Sequence, residues 1–122
     1  MSWRTWTLGF IAGSVLASYV TLSCAPTRAQ SAEVAAAIHQ AAVANGVSEA
    51  WLRRVAYCES RFVPWVTSRG GHAGLYQYAW GTWRWMSAQA GYAGASPYDP
   101  WSAAMVTGWA LAHGYAGHWA CR

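Results

Sequence analysis

A chain of 122 residues has room for one domain at most. Eight arginines, no lysine and four acids give a net charge of +4, too mild and too scattered for the phosphate footprint of a nucleic-acid binder. Ten tryptophans and seven tyrosines exceed what a core of this size can hide, so some rings must face a groove or a partner.

The first quarter reads as a leader. Arg4 supplies a short positive start, Thr7 to Leu22 is apolar and uncharged, and Thr27-Arg28-Ala29 offers small residues for a peptidase cutting before Gln30. This divides the chain into a signal segment, 1–29, and a domain, 30–122. A lipoprotein at Cys24 and an uncleaved membrane anchor are the alternatives, the apolar run being short of the ~20 residues that span a bilayer. An exported domain keeps Cys58 and Cys121, and an oxidising compartment pairs them, two free buried thiols being the other reading.

Helical signals then follow one another. Ser31 is a candidate N-cap for a helix to Asn45, with Val34, Ile38, Ala41 and Ala42 along one side. Ser48 caps the next helix, and Val47 can staple onto Leu52 across it. Val63-Pro64-Trp65 breaks that helix, and the turn formers between Thr67 and Gly74 suit a short two-stranded flap. Tyr76, Tyr78 and Trp80 alternate as in an extended segment, which puts the three rings on one side. Thr82 to Gln89 forms a short helix with Trp83 and Met86 on one face. Asp99-Pro100 begins the last helix, whose inner face is expected at Trp101, Met105, Gly108-Trp109 and Ala112. The class is mainly α, with a loop-rich cleft.

Leu52, Val55, Ala56 and Glu59 follow the i, i+3, i+4, i+7 spacing, so Glu59 continues an apolar stripe. It also lies in the last turn, at the negative end of the helix dipole. Burial and dipole both disfavour its ionised form and raise its pKa. A carboxyl kept protonated near neutral pH is what a general acid needs. The duller reading pairs it with Arg61 or Arg84. Core packing is likewise the duller reading of Tyr76, Tyr78, Trp65 and Trp80, against stacking on a sugar for some of them. His72 reads as a solvated loop histidine, with contact to substrate from the flap as the other reading, and His113 reads as a dipole partner. His113 and His118 lack metal-ligand spacing, so neither metal nor cofactor is expected.

Taken together, C-E-S-R-F at Cys58–Phe62, G-L-Y-Q at Gly74–Gln77, the Thr82-Trp83 pair, D-P-W-S-A-A from Asp99 and the closing W-A-C resemble one family. It is the transglycosylase family with the lysozyme-like fold, a group that includes lytic transglycosylases and resuscitation-promoting factors. These are secreted enzymes that cut the glycan of peptidoglycan. The resemblance covers roughly Ser48 to Cys121. It implies a small lysozyme-like domain in which Glu59 is the catalytic acid, Ser60 its hydrogen-bonding neighbour and Gln77 a cleft residue contacting the sugar or the acid. Val63 departs from the family, many of whose members carry an asparagine there, and this takes away a polar contact in the flap.

Two-carboxylate glycosidases need a second acid, and Glu33, Glu49 and Asp99 each have a helix-start role instead. With one acid, Glu59 would protonate the glycosidic oxygen and then take a proton from the same sugar's hydroxyl, giving the anhydro-muramic end that the resemblance implies. Hydrolysis helped by Asp99 or by a water on Gln77 is the alternative. A non-catalytic glycan-binding or envelope-assembly protein is another. Expected partners are peptidoglycan strands and other cell-wall enzymes, with no nucleic acid, membrane contact only through the leader, and a monomeric chain in the periplasm or cell envelope.

Overall fold

The structure is a computed structural model that describes residues 25–121. The apolar leader and Cys24 lie outside the described residues. Four helices follow in order: α1 (Arg28–Asn45), α2 (Glu49–Ser60), α3 (Trp80–Gln89) and α4 (Pro100–Ala112). A single 3-10 turn, Ala116–His118, precedes the tail. The mainly α class expected from the periodicities is the class observed, and no described helix is long and apolar enough to cross a membrane.

α1 begins four residues earlier than the Ser31 cap would start it. Thr27 is the N-cap: its hydroxyl accepts from the Gln30 N–H, while the Gln30 side chain accepts from the Thr27 N–H. Two orphan amides are thereby satisfied at once. The cleavage expected after Ala29 therefore falls inside the first turn of a capped helix. Gly46, at φ 62°, closes α1 in the left-handed region. Ser48 caps α2 as expected, accepting from the Trp51 N–H at 3.1 Å.

α1 packs along α4, and small residues set how closely. Val34, Ala37, Ile38, Ala41 and Ala42 are buried on α1, facing a helix whose buried set is Ala103, Ala104, Val106, Thr107, Gly108 and Ala110. The inner face expected for α4 is thus corrected: Trp101 is exposed, Ala112 is exposed, and Met105 and Trp109 are half-buried. Bulky rings would hold the helices apart. At Gly108 a Cβ would lie 2.6 Å from Asn45 Nδ2 and 3.1 Å from the Ala41 carbonyl oxygen, so any side chain there would displace Asn45 and press on α1. α3 starts at Trp80, two residues before the expected Thr82, and buries Trp83 and Met86.

Between α2 and α3 the expected flap is reduced to two isolated antiparallel bridges, Thr67 with Ala73 and Ala73 with Tyr78. The loop is nonetheless tightly held. Gly74 has φ +78°, and a Cβ there would come within 1.9 Å of the Pro97 carbonyl oxygen. Ser60 Oγ donates to the Leu75 carbonyl at 2.8 Å, and Trp119 Nε1 to the Tyr76 carbonyl at 2.9 Å. Leu75 and Tyr76 are fully buried. The tail returns to α2 through the Cys58–Cys121 disulfide, which closes a loop of 63 residues.

Two stability predictions follow from these contacts. Gly74→Ala combines a left-handed residue with a backbone clash and should cost about 3 to 5 kcal/mol. Gly71→Ala, at φ +82° with nothing within 4 Å of the added carbon, should cost only about 1 to 2 kcal/mol. Chemical denaturation of the two variants checks the contrast. Denaturation with and without reductant should show the disulfide worth about 4 kcal/mol, from the entropy of the loop it closes.

Candidate active site

Glu59 stands in the last turn of α2, half-buried, at the edge of a cleft of about 260 Å³. The helix stops one residue later, although no glycine is present to stop it. Arg61 and Phe62 both take positive φ, 54° and 64°, and turn the chain away. Non-glycine residues adopt that region at a cost, here offset by bonds from the Arg61 N–H to Tyr57 O and from the Val63 N–H to Ser60 O.

The cleft brings Glu59 together with Gln77 and Tyr78 from the loop, Thr82 from α3, His72 from the 67–74 turn, and His118 and Trp119 from the tail. Gln77 is itself left-handed, with φ 51°. Its amide nitrogen donates to Val66 O at 3.2 Å and to Gly74 O at 2.9 Å. Both donors of the amide are thereby engaged, and Oε1 is what the side chain has to offer the cleft.

No other side chain forms a hydrogen bond or ion pair with Glu59 among the described residues. Burial pushes its pKa above the ordinary 4.5, and the charge of His72 opposes that shift. Neither arginine expected as a duller partner pairs with it among the described residues. Arg61 donates to the Tyr57 carbonyl and lies over the Tyr57 ring at 4.5 Å, and Arg84 is exposed on α3. Glu59 is therefore a half-buried carboxyl with its proton affinity raised and its oxygens unengaged.

The remaining acids are engaged outside this cleft. Glu33 accepts from Trp101 Nε1 at 3.1 Å. Glu49 meets His39 at 2.9 Å and Arg53 at 3.8 Å. Asp99 caps α4, accepting from the Ser102 N–H at 3.0 Å and from its hydroxyl.

Several candidate residues sit elsewhere than expected. Ser60 is buried and donates to Ala56 O and Leu75 O, so it braces the loop and does not bond Glu59. Tyr76 is completely buried and gives no face to a ligand; its hydroxyl is buried without a partner. Tyr78 touches the cleft but is 3% exposed, its hydroxyl bound to Thr107 at 2.8 Å. Burial pushes both phenols above the usual tyrosine range. The left-handed Gln77 breaks the alternation assumed for Tyr76, Tyr78 and Trp80. Trp80 instead starts α3, exposed and edge-on to Tyr98. Trp65 is also exposed, and neither tryptophan lines the cleft.

Thr82, His118 and Trp119 are cleft residues that sequence reasoning did not single out as such. His72, read first as a solvated loop histidine and second as a residue meeting substrate, is exposed and lines the cleft. His118 and Trp119 reach the cleft by a long-range return that no local pattern encodes. Among the described residues no cluster of three metal-ligating side chains occurs.

No curated protein and no solved structure matches the chain. Residues 36–118, from α1 through the 3-10 turn, match the Transglycosylase SLT domain. That span holds Glu59, Gln77 and most of the residues around them, and it covers well over half of the chain. The protein belongs to the Transglycosylase SLT domain family, whose members act on peptidoglycan as lytic transglycosylases.

Proposed function

We propose that this chain is a lytic transglycosylase that cuts the bond between N-acetylmuramic acid and N-acetylglucosamine with Glu59 as its one acid and base. The observation that carries the reading is the isolation of that carboxyl: it alone of the four acids lines the cleft, and no side chain bonds it. A neutral carboxyl so placed can deliver its proton to the glycosidic oxygen as the bond to the anomeric carbon breaks. The carboxylate left behind then accepts a proton from a hydroxyl of the same sugar as that oxygen attacks the anomeric carbon. One bond breaks, one forms, and Glu59 ends protonated again. No second carboxylate is needed, because the nucleophile is already tethered to the reacting carbon. Gln77 Oε1 is the acceptor at hand to orient a hydroxyl or N-acetyl N–H.

Hydrolysis by the two-carboxylate route asks for a second acid, and the polar side chains lining the cleft with Glu59 are those of His72, Gln77, Tyr78, Thr82 and His118, with no second carboxylate among them. Asp99, the helper considered from sequence, is held at the N-terminus of α4. Transglycosylation is the better fit. Export belongs to the same proposal: the leader in residues 1–29 delivers the domain to the envelope, where the Cys58–Cys121 pair is stable. Trimming after Ala29 would remove the Thr27 cap, leaving Ser31 as the next residue able to serve.

Glu59→Gln should lower lysis of purified peptidoglycan by about 100- to 10,000-fold while binding to the insoluble polymer persists. Mass spectrometry of the released fragments should show anhydro ends. Reducing ends would assign a hydrolase, and wild-type protein that binds without any lysis would assign a binding module.

The pH profile tests the acid separately. Glu59 acts first with its proton on, so rate is full below its pKa and lost as pH rises through it. Burial places that loss above 4.5. His72→Ala removes the charge that opposes burial, so the alkaline limb should move to higher pH; a limb that stays put or moves down contradicts the assignment.

A further inference from the structure

The Cys58–Cys121 bond is within reach of solvent, Cys58 being exposed and Cys121 half-buried. It joins residues next to the cleft lining at both of its ends. Cys58 directly precedes Glu59 in the last turn of α2, and Cys121 directly follows His118, Trp119 and Ala120, which line the cleft with Glu59.

The tail has few other anchors. Its 3-10 turn is bonded locally, the His118 N–H to the Tyr115 carbonyl and the Trp119 N–H to the Ala116 carbonyl. Among the described residues, the one hydrogen bond from 116–121 to the body of the domain runs from Trp119 Nε1 to the Tyr76 carbonyl at 2.9 Å. Trp119 is also the one buried residue of this segment, edge-on to Trp51 and Tyr78. The tail is therefore kept in place by one indole and by a covalent bond two residues away. With the bond intact, little freedom remains to be lost when Trp119 seats. With the bond open, one indole must offset the ordering entropy of the whole tail, and the tail becomes the part of the domain that opens first. Opening takes three residues out of the cleft wall and removes the donor from the Tyr76 carbonyl, next to Gln77. α1 and α4 meet through buried residues of their own and keep their contact.

We propose that Cys58 and Cys121 form a thiol switch on the cleft: reduction frees the tail and silences Glu59, and oxidation assembles the site. This rests on the proposed function, in which Glu59 cuts glycan in an oxidising compartment. Switching on is a thiol–disulfide exchange with a protein or small-molecule disulfide. One cysteine thiolate attacks that disulfide and expels one of its sulfurs as a thiol. The second cysteine then attacks the mixed disulfide, forming the Cys58–Cys121 bond and expelling the other sulfur. The chain gives up two electrons and two protons, and the oxidant takes them up as two thiols. A dithiol reverses both steps. Made where thiols stay reduced, the chain has no working cleft until it reaches an oxidising compartment.

The test uses the full chain carrying Cys24→Ser, which removes the third thiol. Protein is equilibrated with dithiothreitol at a series of ratios of its reduced and oxidised forms. The bridged fraction is read by thiol labelling and mass spectrometry, and lysis on purified peptidoglycan. Helix content is read by circular dichroism and the Trp119 indole by NMR. Lysis should fall about 100-fold on full reduction, follow the bridged fraction, and return when oxidised glutathione is added. The Trp119 indole signal should move to the position of a free indole while helix content persists. Cys58→Ser combined with Cys121→Ser should match the reduced protein and ignore reductant. Lysis by fully reduced protein at the oxidised rate, or a Trp119 signal unmoved on full reduction, overturns the switch and leaves the Glu59 assignment standing. Helix content lost together with lysis makes the bond a support of the whole fold and also overturns the switch. Oxidised protein that never lyses overturns the proposed function, and the Trp119 signal then decides whether reduction releases the tail.

Discussion

The passage of the loop beneath Pro97 at Gly74 is the constraint on which the site depends. A Cβ at that position would meet a backbone carbonyl at 1.9 Å, so the chain can lie there only with hydrogen as its side chain. Once Gly74 is seated, the next two carbonyls are taken by Ser60 Oγ and Trp119 Nε1. These bonds come from segments far apart in the chain, one from α2 and one from the tail. Between them they fix the register of Leu75 and Tyr76, and Gln77 is forced into the left-handed region beside Glu59. The cost of that conformation is offset by the two bonds its amide makes to Val66 and Gly74.

The same arrangement explains the electrostatics. Three groups close to Glu59 in the chain or in the cleft are committed elsewhere: Ser60 to the loop, the Gln77 nitrogen to the loop, Arg61 to the face of Tyr57. Burial disfavours the charged carboxylate, and the pKa of Glu59 rises for that reason. His72, which also lines the cleft, works against the rise.

How far the sequence spoke depended on how local the relevant physics was. The α1 stripe, the Ser48 cap and the Asp99-Pro100 start are set by residues within a turn of one another, and all three appear as read. The half-burial of Glu59 followed from helical spacing alone. The errors arise where a distant segment intervenes. Alternation at Tyr76 and Tyr78 presumes an extended strand, and the Pro97 and Trp119 contacts replace the strand with a left-handed turn that buries both rings. Weighting α4 by its tryptophans put the large side chains inside, whereas close approach to α1 admits only alanine, threonine, valine and glycine at the contact. Thr27 was passed over as a cap because it lay in a stretch read as a cleavage site. His118 and Trp119 reach the cleft only through the fold of the whole chain.

The disulfide has a place in this picture beyond closing a long loop. Cys58 immediately precedes Glu59, and Cys121 follows the tail residues 118–120 that form the facing part of the cleft lining. The covalent link therefore joins the two sides of the site within one to three residues of the groups that line it. Trp119 reinforces the same connection, its ring edge-on to Trp51 of α2 and to Tyr78 of the loop, with its nitrogen on Tyr76. A small domain with few buried large aliphatic side chains has little core to resist opening of a groove. Tying the helix that carries Glu59 to the tail lets such a domain hold a defined cleft while α1 and α4 make the most extensive helix–helix contact, largely on small residues.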